Sequence, residues 1–150
     1  MNKVRINSQS KKNVTGVADV EVTGLELFKG NVLTFSTDGN EVYVSAKRQF
    51  DQTRSGRLSI RFPASIDSIE HVYNEKSGIY ISYNLTEEFP EWTEITPYPG
   101  VYGSGTVDLK FNKDRGTFSA NFNLNVQNDS SEPELKAVGS FRNVEGLEHQ

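Results

Sequence analysis

Apolar and polar residues alternate with period two along most of this chain, and the cleanest alternation lies in its last third. Val107, Leu109 and Phe111 are interleaved with polar residues. After Asn112-Lys113-Asp114-Arg115-Gly116 the alternation resumes with Phe118, Ala120, Phe122, Leu124 and Val126, set against Thr117, Ser119, Asn121, Asn123, Asn125 and Gln127. A third strand closes the stretch by Val144. Successive side chains of a strand point to opposite faces, so this pattern predicts a sheet with one dry face and one wet face. Upstream, residues 14–23 read as a strand with Val20 and Val22 on one face. Gly24 breaks the parity, and Leu25 and Leu27 continue on the other face, which predicts a bulge or a sharp bend. Residues 32–37 and 41–47 form a hairpin across Asp38-Gly39-Asn40. Leu58, Ile60 and Phe62 then alternate with Arg57, Ser59 and Arg61 as far as Pro63, and Ile79, Ile81, Tyr83 and Leu85 supply the next strand.

Two segments break the rhythm. In residues 65–73, Ile66, Ile69 and Tyr73 fall near helical spacing behind Ser65, a residue suited to an N-cap, which predicts one short helix. Residues 87–102 hold the only tryptophan, three of the five prolines, four glutamates and three further aromatics. Three prolines within ten residues bar a regular ladder, so this segment is predicted to be a loop between strands. The pattern as a whole predicts an all-β fold of eight or nine antiparallel strands. It is either a barrel (a lipocalin- or avidin-like meander) or a two-sheet sandwich, with at most one short helix. Residues 14–150 form its single domain, and the polar residues 1–13 precede it as a flexible arm or short edge strand.

Composition narrows function mostly by exclusion. The absence of cysteine removes disulfides, thiol nucleophiles and thiolate metal sites. A net charge of −4 and a pI near 5.2 argue against a nucleic-acid partner. No apolar run approaches membrane-spanning length. The N-terminus carries basic residues without an apolar stretch behind them, so it predicts no signal peptide and either a cytoplasmic chain or the mature form of an exported one. Residues 1–61 sum to +4 and residues 62–150 to −8, which either mixes in space on folding or polarises the surface.

Candidate chemistry is sparse. No nucleophile elbow, P-loop, zinc-protease or EF-hand motif occurs. The two histidines are His71 and His149, the second one residue from the end of the chain. His71 or a glutamate of residues 87–102 is the candidate general base if the chain is a cofactor-free barrel enzyme. The preferred reading is a non-catalytic binding module without a cofactor. Its candidate ligand-contacting residues are Trp92, Tyr98, Tyr102 and Phe89 as flat apolar faces, with Glu91 and Glu94 as acceptors beside them. Arg57 and Arg61 share one strand face, near Arg48 and Arg54, and offer bidentate contacts to an anion. The expected partner is a small apolar or glycan-like molecule, or a protein. A third possibility is an assembly subunit that adds an edge strand to a neighbour. Asn121, Asn123 and Asn125 form an unusual row, expected on the outer face. Asn13, Asn84 and Asn128 head glycosylation sequons, which matter only in a secreted eukaryotic setting.

The ending, with Gly105-Thr106-Val107, Gly116-Thr117-Phe118 and Gly139-Ser140-Phe141-Arg142-Asn143-Val144, resembles the tails of small uncharacterised bacterial β-proteins. Many proteins of that kind are exported or lipid-anchored. The resemblance covers about forty residues and implies no functional residue.

Overall fold

A computed structural model describes residues 13–150 and shows an antiparallel sheet curled into a half-barrel. Its strands are β1 (Thr15–Val22), β2 (Phe28–Thr37), β3 (Glu41–Gln49), β4 (Arg54–Pro63), β5 (Glu70–Tyr73), β6 (Tyr80–Glu88), β7 (Thr93–Pro99), β8 (Gly105–Asn112), β9 (Thr117–Val126) and β10 (Leu135–Glu145). The two-residue β11 (Glu148–His149) pairs with β2 in parallel. The ten main strands lie in the order β5-β8-β9-β10-β1-β2-β3-β4-β6-β7. Two meanders, β1 to β7 without β5, and β8 to β10, are therefore joined by the β1–β10 pairing. The predicted arm falls almost wholly in residues 1–12, outside the described residues.

The period-two residues point where the alternation placed them. Val42, Val44 and Ala46 of β3, Leu58, Ile60 and Phe62 of β4, and Phe118, Ala120, Phe122, Leu124 and Val126 of β9 are all buried on the concave face. Curling brings strands far apart in the sheet into contact across that core. Phe62 of β4 stacks on Phe118 of β9 at 5.0 Å and meets Phe111 of β8 edge-on at 5.4 Å. These rings pack together in the concave interior, where the opposing walls meet. Irregular register between Val32 and Thr34, and between Phe141 and Val144, inserts extra residues that bend β2 and β10. Asn143 sits in the second irregularity at φ 55°, a left-handed conformation that asparagine tolerates better than most residues.

The two segments that broke the rhythm are both strands, which accounts for ten where the pattern predicted eight or nine. The predicted helix is absent. Residues 64–69 form turns and residues 70–73 are β5, because Ile69 and Val72 are exposed and leave a helix no apolar stripe to bury. Nor is residues 87–102 a loop: β6 runs to Glu88, turns at Pro90-Glu91, and returns as β7. The prolines fit because β7 is an edge strand. Gly100 N–H donates to Ile81 O (2.8 Å), so alternate residues of β7 bond inward, and Pro97 and Pro99 occupy the outward positions where no donor is needed. Gly24 makes the sharp bend, at φ 84°, between β1 and β2.

Residues 99–104 stitch the two edges of the sheet together. Gly100 bridges Val126, Val101 N–H donates to Asn125 O (2.8 Å), Gln127 N–H donates to Pro99 O (3.0 Å), and Gly103 N–H donates to Tyr73 O (2.8 Å). The buried Tyr73 hydroxyl accepts from Ile81 N–H (3.1 Å), tying β5 to β6 across the seam.

Candidate functional site

At one end of the strands, four turns gather: residues 23–27, 50–54, 87–94 and 127–134. They carry nine carboxylates and one guanidinium, that of Arg54. Nine of the chain's 20 Asp and Glu residues thus lie in these four turns, drawn from both halves of the chain.

The β6–β7 hairpin builds the rim's main feature. On its concave side the cross-strand partners run outward from the core as Tyr83 with Tyr98, Leu85 with Thr96, and Glu87 with Glu94. Beyond them, Phe89 and Trp92 stack at 4.8 Å and 24°, fixed by Phe89 N–H donating to Trp92 O (2.8 Å). Trp92 is 56% exposed and belongs to no part of the core, so it does not plug the half-barrel. Beside this hairpin, Phe50, Arg54, Leu85, Glu87, Glu94 and Thr96 enclose a pocket of about 160 Å³. The β3–β4 turn forms the facing wall and is held to the hairpin by Glu88 N–H donating to Thr53 O (2.8 Å).

That wall is rigidly organised. The Asp51 carboxylate accepts the backbone N–H groups of Thr53 (2.9 Å) and Arg54 (2.8 Å) and the Arg54 Nε (2.8 Å). The Thr53 amide leads in holding Asp51 down to about 2. Arg54 also reaches Glu26 (3.2 Å) on the β1–β2 turn. Arg48 and Arg54 lie over the Phe50 ring at 5.3 and 5.8 Å, so the half-buried phenyl is flanked by two guanidiniums. Beneath, the buried Tyr83 hydroxyl has no hydrogen-bond partner among the described residues, and burial pushes it up to about 12.

No family model, curated protein or solved structure matches the chain. The site therefore rests on its own geometry.

The sequence candidates divide. Phe89, Glu91, Trp92 and Glu94 come together on the hairpin tip and its concave side. Tyr98 lies on the same side but deeper, half-buried against the core, and also borders a second groove with Asn128 and Leu135. Tyr102 is at the seam, its ring tilted against Tyr73 at 5.1 Å and 45% exposed, away from the tip. Arg57 and Arg61 face the convex side, opposite in parity to Leu58 and Ile60. Arg61 pairs there with Glu41 (3.2 Å) and lies over Tyr80 (5.2 Å). The arginines that do reach the rim are Arg48 and Arg54. His71 is on β5, its Nε2 2.7 Å from Asp67 O, and lines none of the grooves described. Asn121 and Asn123 are exposed on the convex face, and Asn125 donates to Glu134 (3.1 Å).

Phe50, Leu85 and Glu87 were not singled out by sequence. Glu87 alone left a trace, since it shares parity with Tyr83 and Leu85 and so belongs to the concave face. The rest depend on the register that sets Arg54 opposite Glu87, a pairing between distant segments.

Proposed function

We propose that this chain is a non-catalytic binding domain that takes its ligand at the rim, under and against the β6–β7 hairpin tip. The observation that carries this reading is the stacked Phe89–Trp92 pair, held in solvent on a tight hairpin beside a pocket. Singly exposed apolar residues need no explanation. Two rings locked together on a hairpin tip form a preorganised apolar platform, and preorganisation lowers the entropic cost of binding. The filled interior sends a ligand to the rim rather than into the half-barrel. The rim's acidity disfavours anionic ligands and leaves a small molecule with an apolar face, or apolar side chains of a protein, as the class of occupant.

Trp92, the only tryptophan, reports on this directly. Titration with panels of alkylamines, aryl compounds, glycans and peptides is expected to give a saturable change in Trp92 emission for at least one class, weakened by Phe89→Ala. A flat response across all panels overturns the reading. So does a ligand recovered by native mass spectrometry whose affinity is unchanged by Trp92→Ala.

A further inference from the structure

We propose that the outer edge of β7 at Thr93 and Ile95 accepts an extended segment of a partner protein as an added strand. Basic and apolar residues alternate along that segment. The inference rests on the rim-binding reading above and names its partner.

The edge is open over one short stretch only. Glu94, Thr96, Tyr98 and Gly100 turn their backbone groups toward β6, so those of Thr93, Ile95, Pro97 and Pro99 point outward. The two prolines have no N–H, and their carbonyls are taken: Pro97 O accepts Asn128 Nδ2 (2.8 Å) and Pro99 O accepts Gln127 N–H (3.0 Å). The outward N–H and C=O groups of Thr93 and Ile95 have no partner among the described residues. Prolines and a covering loop are ordinary ways of blunting an edge, and here the blunting stops at Pro97. Beyond it, two donors and two acceptors stand at the spacing of a strand.

Charge selects the occupant. Residues 87–102 and 127–134, which flank this edge, carry seven carboxylates and no lysine or arginine. Among the described residues none of the seven has a cation in ion-pair contact. The loop wall is held in shape by Gln127 Nε2 donating to Glu132 O (2.8 Å) and Glu132 N–H donating to Asp129 O (2.9 Å). A second copy of the chain fits worse. An antiparallel pair of two β7 edges that used both open positions would set Glu94 of one copy against Glu94 of the other, and like charges directly opposite destabilise a sheet. A basic segment meets no such opposition.

The two faces of β7 set the alternation. Ile95 is 64% exposed on the convex side, where it offers a cross-strand contact to an apolar residue. The next residue of an added strand falls on the concave side, beside Glu94. Farther along, Asn128, which holds the Pro97 carbonyl, borders a groove of about 370 Å³ with Tyr98, Leu135 and Glu132. Apolar surface with a carboxylate at its border suits the long stem and charged head of a lysine or arginine.

The test uses an acetylated, amidated seven-residue peptide that alternates lysine with valine, read by NMR shifts and hydrogen exchange of the Thr93 and Ile95 amides and by Trp92 emission. The peptide is expected to shift both amides saturably and to slow their exchange. Methylating its valine nitrogens, which would face β7, should abolish binding, whereas methylating its lysine nitrogens should not. Ile95→Pro removes an outward N–H and no ladder bond, so it should weaken binding about tenfold and leave the melting temperature unchanged. Glu94→Gln should weaken it about twofold to fivefold. Equal binding of the two methylated peptides overturns the added strand, and equal binding of a glutamate–valine peptide overturns the basic partner. Slowed exchange that grows with protein concentration in the absence of peptide makes a second copy the occupant and overturns it as well. Unchanged exchange at Thr93 and Ile95 also overturns the added strand, and the rim reading still stands if another ligand moves Trp92.

Discussion

Tyr73→Phe removes the hydroxyl that accepts Ile81 N–H and donates to Ile81 O (3.5 Å) in the seam of the half-barrel. The ring of Tyr73 is fully buried, and its hydroxyl accepts Ile81 N–H at 3.1 Å. Ile81 is the last position where β6 would pair regularly with the chain leaving β7. There Gly100 N–H donates to Ile81 O, but the Ile81 N–H is taken by the phenol instead of by a strand neighbour. Removing the oxygen keeps the packing of the ring and leaves a buried amide without an acceptor, which costs about 1–3 kcal/mol. For a chain of this size, each kcal/mol lowers the melting temperature by about 2–4 °C, so a central cost of about 2 kcal/mol lowers it by about 4–8 °C. Differential scanning calorimetry reads the global effect, and hydrogen exchange at the Ile81 amide reads the local one. Gly100→Ala attacks the same joint from the other side, since its Cβ would lie 2.6 Å from the Tyr73 Oη. The two substitutions share a partner and should be non-additive. An unchanged melting temperature in Tyr73→Phe, with unaltered protection at Ile81, refutes the account of the seam.

Alkali should loosen the protein through its buried phenols. Tyr73 and Tyr83 are both pushed up to about 12, burial being the main cause, whereas an unfolded tyrosine titrates near 10. The folded state therefore holds protons that the unfolded state releases, so stability is flat below pH ~10 and falls as pH rises from ~10 to ~12, with a limiting slope of about 1.4 kcal/mol per unit for each tyrosine. Urea midpoints measured on both sides of pH ~10 check this, and an unchanged midpoint contradicts it. Pro97→Thr restores an outward N–H on the exposed edge of β7, next to Ile95, which is 64% exposed. Light scattering is expected to show concentration-dependent association of this variant beyond that of the parent, and identical masses would show that the prolines do not guard the edge.

What could be read from sequence was set by whether one face was dry and the other wet. β8 and β9 alternate without interruption and run close to where the pattern put them, whereas β2 and β10 each carry a bulge that breaks the parity. β7 was illegible because neither face carries the signal. Its concave positions beyond Tyr98 are Thr96 and Glu94, and its outward positions include Pro97 and Pro99. Those prolines ruled out a central strand, and only the topology shows that an edge was available. In the turns leading into β5, Ile66 and Ile69 mimic helical spacing with Tyr73 of the strand, but just one of the three is fully buried. Compositional oddity pointed to Trp92, Phe89 and Glu94, which the fold brings to one hairpin. It also pointed to Arg57 and Arg61, which lie on the convex face, where parity with Leu58 and Ile60 already assigned them.

The position of the rim site follows from where the opposing walls stop. Along the concave side of the β6–β7 hairpin, side chains pass from Tyr83 and Tyr98, packed in the core, through half-buried Leu85 and Thr96, to Glu87 and Glu94. A concave face that turns from apolar to acidic over two residue pairs marks the height at which no strand lies across from it. A chain that needed only to end a core would turn there. This hairpin continues past that height and closes on two stacked rings. Cross-strand aromatic pairs contribute only about 0.2–1 kcal/mol to a sheet, and the facing glutamates beneath them offset part of that. The extension is therefore weakly supported as a stability device, which favours the proposed reading of the tip as a ligand surface.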